Sequence, residues 1–185
     1  MKMLKLPSKL PSEDKNAGVE AKRMIIEEME SLFGSRDNTF TIDESIVYHN
    51  GSPRVWTYDT ENKKCNVVLS NGCLTYWPCF VYEMAHESIH LLNPQPVAAS
   101  YLEEGIAVWF SDYMMEKCGY EKHYPKGDYK KALELVALIK DTPPNIVKKI
   151  RDNYPNLTDI SFAELRRLYP TLTIKQAKAL TSIKE

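Results

Sequence analysis

Residues 77–92, WPCFVYEMAHESIHLL, set His86-Glu87-Ser88-Ile89-His90 inside an otherwise apolar run. Pro78 suits the first turn of a helix, where its missing N–H costs nothing. Asn93-Pro94-Gln95-Pro96 closes the run, because the residue before a proline is pushed out of the α region. A helix from about Pro78 to Leu92 is therefore expected, with buried-type side chains (Phe80, Val81, Met84, Ile89, Leu91, Leu92) around the motif. Two neutral imidazoles and a carboxylate on such a buried face are costly without a partner, and a metal ion supplies one.

Side chains four apart on a helix project from the same face. His86 and His90 can therefore direct ring nitrogens at one point, at the about 2.0–2.1 Å that zinc requires. Glu87 is offset by one residue, beside the ion instead of bound to it, where a general base must stand. Zinc lowers the pKa of a water it holds to about 7, so hydroxide becomes available at neutral pH. Two histidines leave a catalytic zinc site one protein ligand short. His49 falls in a strand region and His123 in a loop, so the nearest candidates are Glu103 and Glu104 in SYLEEGIAVWFSDY, on the next helix. Helix geometry alone does not choose between these two.

The rest of the chain reads as an α+β domain. NAGVEAKRMIIEEMESLF (residues 16–33) has helical spacing and stops at Gly34. NTFTIDESIVYHN, RVWTYDT and KCNVVLSNG are rich in Val, Ile, Thr, Tyr and Trp and read as three strands. Asn50-Gly51-Ser52-Pro53 is the expected turn between the first two, and Glu61-Asn62-Lys63 the hairpin turn before the third. This order predicts a small, mostly antiparallel sheet, then the helix of the histidine motif, then a second helix from about Val97 to Lys117. Residues 120–185 read as a helical C-terminal part with proline-marked joints, and residues 1–15 as a flexible or loosely docked arm. The 185 residues suffice for one domain with a real core.

Net charge is −1, so no global field points to nucleic acid or membrane. The charge is uneven: residues 1–121 carry 11 basic and 18 acidic side chains, residues 122–185 carry 13 and 7. That imbalance fits two parts facing each other, or a basic docking surface built from Lys148, Lys149, Arg151, Arg166 and Arg167. The basic residues lie on separate helices without interleaved aromatics, which argues against nucleic acid. No run approaches the ~20 apolar residues of a membrane span, and the N-terminus lacks the apolar stretch of a secretory signal, so a cytoplasmic address is expected. Cys65, Cys73, Cys79 and Cys118 form no C-x-x-C pair and read as free thiols, mostly buried.

His-Glu-x-x-His followed one helix later by Glu104-Gly105-Ile106-Ala107 resembles the gluzincin zinc metallopeptidases, the thermolysin and aminopeptidase type. The similarity covers about residues 65–112. It implies a zincin-like fold, a zinc ion held by His86, His90 and Glu104, Glu87 as general base, and a peptide or protein substrate in a cleft. It also implies an edge strand beside the cleft, for which Asn66–Ser70 is the candidate, and a downstream oxyanion donor. Tyr129 is the first choice for that donor, with His123 and Tyr124 as alternatives. Gly105 is expected to let the two helices approach closely. The chain departs from the pattern in having no acidic residue four after Glu104 to orient a ligand histidine. The other functional reading is a zinc-containing, peptidase-like fold that binds or regulates without cleaving.

Overall fold

Helix α1 (Lys15–Phe33) buries Ala17, Ala21, Ile25, Met29 and Phe33, a four-residue spacing that makes one continuous stripe. Asp14 starts it by accepting the Asn16 N–H, and Gly34 ends it at φ 91°, a conformation that favours glycine. The computed structural model describes residues 3–184; Met1, Lys2 and Glu185, and with them the first two residues of the expected arm, lie outside the described residues. From Met3 on, that arm is docked. Leu4 N–H donates to the Lys117 carbonyl, Ser12 N–H to that of Leu74, and Pro11 is buried.

Strands β1 (Thr41–His49), β2 (Arg54–Asp59) and β3 (Lys64–Ser70) form one sheet in the order β1-β3-β2. β3 runs parallel to β1 and antiparallel to β2, so the sheet is mixed where a mostly antiparallel one was expected. Asn50–Pro53 does not join neighbours; it carries the chain past the position that β3 takes. Burial explains the order. Cys65, Val67, Val68 and Leu69 are at most 1% exposed, whereas β1 and β2 mix half-buried with exposed positions. The strand that is apolar on both faces takes the centre, and the strands carrying charges take the edges. β1 bulges between Ile42 and Ile46, and there buried Lys22 of α1 donates to the carbonyls of Asp43 and Ser45. The lysine supplies donors that β3 does not, and burial lowers its pKa to about 8.

A short 3₁₀ turn (Asn71–Leu74) leads into α2 (Trp77–His90), with Pro78 in its first turn. α3 (Tyr101–Lys117) begins four residues later than the periodicity suggested. Ser100 caps it, its side chain accepting the Glu103 N–H, and pairs by a single antiparallel bridge with Ile183. α3 packs along α2 and is buried on nearly every side. α4 (Gly127–Ala137) and α7 (Ile174–Thr181) pack against it, while α5 (Pro143–Arg151) packs on α1 and α6 (Phe162–Leu168) on α7. One hydrophobic cluster includes Phe33, Phe80, Phe110, Ile146, Leu165 and Leu180, so the C-terminal helices share the core of the sheet half.

Gly105 does permit a close approach, but to α4 and not to α2. A Cβ there would lie 2.8 Å from the Ala132 carbonyl carbon and 2.5 Å from a Val136 methyl. Because the obstruction is backbone, Gly105→Ala is expected to lower stability by about 1–3 kcal/mol, read from the urea midpoint at unchanged m. A midpoint equal to that of the wild type would show that α3 and α4 part without strain.

Candidate metal centre

Helix α2 presents His86 and His90 one turn apart, with ring centroids 5.3 Å apart. α3, antiparallel contact partner of that turn, brings two consecutive glutamates to them. Glu104 Oε2 lies 3.2 Å from His86 Nε2, and Glu103 Oε1 lies 2.7 Å from His90 Nδ1. Donor atoms of His86, His90 and Glu104 all fall within 4.8 Å of one another, and the group can hold a metal ion. Glu87 is buried beside them, 3% exposed, and faces the same cavity.

The details fit a cation. Glu104 Oε2 is buried and has no hydrogen-bond donor, despite its nearness to His86 Nε2. Two donors held at about 2.0–2.1 Å by one tetrahedral ion lie roughly 3.3 Å apart, close to that separation. Because His90 Nδ1 is engaged by Glu103, its Nε2 is the nitrogen left for a metal. A ligand histidine that gives its other ring N–H to a carboxylate has its orientation and tautomer set. Glu103 is thus the orienting carboxylate that no residue after Glu104 supplies. Ser111, two turns along α3 from Glu104, donates to the carbonyls of Tyr82 and Ala107.

Two further residues had no signal in the sequence. Thr158 donates its hydroxyl to Glu103 Oε2 at 2.7 Å and accepts the Ser100 N–H at 3.0 Å. Lys184 reaches Glu104 Oε1 at 3.0 Å. It is delivered by the chain after α7, where Tyr101 N–H donates to Ser182 and Lys184 N–H to Ala99. Thr158, in a 3₁₀ turn (Leu157–Asp159), and Lys184 both lie more than 50 residues downstream of α3's start, and neither sits in a pattern that spacing could expose.

Charge inside the site is balanced by these contacts. Burial pushes the Glu87 carboxyl up, against the opposing pull of His90 and His86. Burial also opposes ionisation of Glu104, but His86, His90 and Lys184 outweigh it and hold its pKa near 2. Burial works against a charge on His90, yet Glu103, backed by Glu87 and Glu104, raises its pKa to about 9.

The cavity over the site has a volume of about 260 Å³ and is walled by Arg54, Val55, Tyr129 and Lys184. It meets a larger one of about 700 Å³, walled by Tyr76, Tyr82, His123 and Tyr129. Pro53, His86 and Tyr129 line both, so His86 stands at their junction. The Tyr129 ring meets His86 edge-on at 5.3 Å, and the Lys184 ammonium lies 3.7 Å from its centre. His123 packs on Tyr82 in the larger cavity, and Tyr124 is 85% exposed and lines neither. β3, offered by the sequence as the edge strand, is paired on both sides; the strand end that borders the site is β2, through Arg54 and Val55.

Fold and site together define an α+β protein with a buried His₂Glu set able to hold a metal ion. No protein-family model matches the chain, and no curated protein or solved structure matches it either. Among the described residues no helix is long and apolar enough to cross a membrane.

A metal needs a neutral His90 ring, and with its pKa raised to about 9 that ring carries a proton at pH 7. The proton must leave as the metal enters. Apparent zinc affinity is therefore expected to rise about tenfold per pH unit from pH 7 and to level off above about pH 9. Chelator-competition titrations measure it. Glu103→Gln removes the carboxylate that holds the proton, so its slope over this range should flatten; an unchanged slope would show that Glu103 does not set the charge on His90.

Proposed function

We propose that this protein is a zinc-dependent peptide hydrolase. The observation that carries the reading is the convergence of His86, His90 and Glu104 on one point, with buried Glu87 beside it. Two imidazoles and a carboxylate are the donor set that suits zinc. When bound, zinc would polarise a peptide carbonyl and lower the pKa of a water.

The chain's own residues supply the rest. Glu87 accepts the proton of the attacking water and passes it to the leaving amine. Its elevated proton affinity suits it to hold that proton between the two transfers. Glu103 fixes the His90 ring, and Lys184 takes up the outer oxygen of Glu104. Tyr129, on the wall shared by both cavities, is the candidate donor to the carbonyl oxygen as charge develops there. An extended peptide can add along β2, whose unpaired edge leads to Arg54 and Val55 at the site, by the strand-addition mode. The presence of space on both sides of His86 supports cleavage within a chain and not only at its end.

A purely binding role through the basic C-terminal face has less support. Lys149 is paired with Asp141, Arg151 donates to the Ser35 carbonyl, and Arg166 donates to that of Leu172. Three of the five residues that motivated it are occupied within the fold.

The test is Glu87→Gln, assayed for zinc content and for cleavage of a peptide library by mass spectrometry. Zinc content should equal that of the wild type, while turnover falls by about 10²–10⁴. Full turnover in a zinc-loaded variant would sink the mechanism. Metal analysis separates the glutamates. His90→Ala and Glu104→Ala should release zinc, whereas Glu103→Ala should weaken binding by about 10–100-fold. If Glu103→Ala alone releases it, the ligand and the orienting residue are interchanged.

A further inference from the structure

A second cluster lies at the other end of α2. Cys73 sits in the 3₁₀ turn after β3, and Cys79 in the first turn of α2. Their sulfurs are 3.3 Å apart, about 1.3 Å more than the ~2.05 Å of a disulfide. Glu83, one helical turn after Cys79, accepts from the Cys73 thiol at 3.1 Å. That carboxylate is itself fixed by Ser70, whose N–H and hydroxyl reach its two oxygens at 2.8 and 2.6 Å. Cys73 is fully buried, while Cys79 is half-buried and lines the larger cavity, seven residues before His86.

The two thiols are unlike. Hydrogen bonds from Cys73 and Ser70 pull the Cys79 thiol down, against burial and the Glu83 carboxylate. The Cys73–Cys79 hydrogen bond, with burial and Glu83, pushes the Cys73 thiol up. Cys65 and Cys118 differ from both: burial raises each to about 11, and among the described residues the thiol–thiol contact is that of Cys73 with Cys79. An accessible sulfur, a second sulfur buried in contact behind it and a fixed carboxylate that touches both make an attacking and a resolving thiol.

We propose that Cys73 and Cys79 form a redox-active dithiol that closes to a disulfide when a small hydroperoxide enters the cavity beside His86. The Cys79 sulfur attacks the peroxide, forming an S–O bond as the O–O bond breaks and the far oxygen leaves as hydroxide or alkoxide. The Cys73 sulfur then attacks Cys79, giving up its proton to Glu83. The S–S bond forms, the S–O bond breaks, and the departing hydroxide leaves as water with that proton. The two sulfurs together lose two electrons, and the hydroperoxide is reduced by two. Nothing in this step requires the metal reading at His86, His90 and Glu104.

Hydrogen peroxide titrated against the reduced, full-length chain tests the proposal, followed by intact mass and peptide mapping. The expected product has lost two hydrogens and carries a Cys73–Cys79 link, formed at least about tenfold faster than any oxidation at Cys65 or Cys118. Cys79→Ser should abolish the fast phase, while Cys73→Ser should stop at a sulfenic acid on Cys79 that dimedone traps. Measurement on the unaltered chain needs no variant to fold. Slow oxidation with no link, or over-oxidation of Cys79 beside a free Cys73, would overturn the proposal. Zinc content measured in parallel should be the same in Cys73→Ser and Cys79→Ser as in the wild type; a lost equivalent would make the cluster a metal site instead.

Discussion

Glu103 and Glu104 stand side by side in a helix that is buried on nearly every face, and a carboxylate taken out of water needs a cation or several donors to remain there. Consecutive helical positions point about 100° apart, so the two cannot share one partner. They are instead divided between two histidines one turn apart on α2, which sets the register of the α2–α3 pair by charge as well as by shape. Each glutamate then has one oxygen left over. Thr158 takes that of Glu103 and Lys184 that of Glu104, so two distant loops are tied to the same point. The bridge between Ser100 and Ile183 follows from this, since it brings Lys184 to its partner.

Periodicity carried much of the architecture. The four-residue spacing of α1, the proline-bounded motif helix and the β-branched strands were legible because each is a local pattern. Strand order was not, because β1, β2 and β3 all alternate or run apolar in ways that permit several pairings. What decided it was how completely Cys65 to Leu69 are buried, a property of the whole fold. At the site, the His-Glu-x-x-His helix and the acidic pair were readable, and the choice between the two glutamates was left to resemblance. In the structure Glu104 belongs to the group able to hold a metal ion, and Glu103 bonds His90 from the other side of its ring. The cysteines show the same limit. Spacing showed no C-x-x-C, yet the turn after β3 folds Cys73 back onto the start of α2.

Gly105 links packing to the cleft. With no side chain there, the Ala132 backbone of α4 lies directly against α3, one residue from Glu104. That approach fixes the first turn of α4, where Tyr101 donates to Asp128 at 2.9 Å and Tyr129 meets His86. Tyr129 is therefore held at the junction of the two cavities by a contact made one turn further along the same face of its own helix. The sheet acts from the opposite direction. Because β3 takes the centre, β2 is left as an edge whose first residues border the candidate metal centre.

The charge on these residues argues for what the site is built to exchange. With both histidines neutral, the carboxylates of Glu87, Glu103 and Glu104 outnumber the Lys184 ammonium and the Arg54 guanidinium that line the same cavity, which leaves a net negative charge among buried acids. Such a surplus is costly unless something positive enters. Two routes neutralise it. Protons can do so, and the upward pull on Glu87 and His90 shows where they go. A divalent cation can do so as well, since it brings positive charge and can take Nε2 of His90 without disturbing the Nδ1 contact to Glu103. The same three carboxylates that favour protons in the pocket therefore also suit it to a divalent ion once those protons leave, with pH setting the balance between the two.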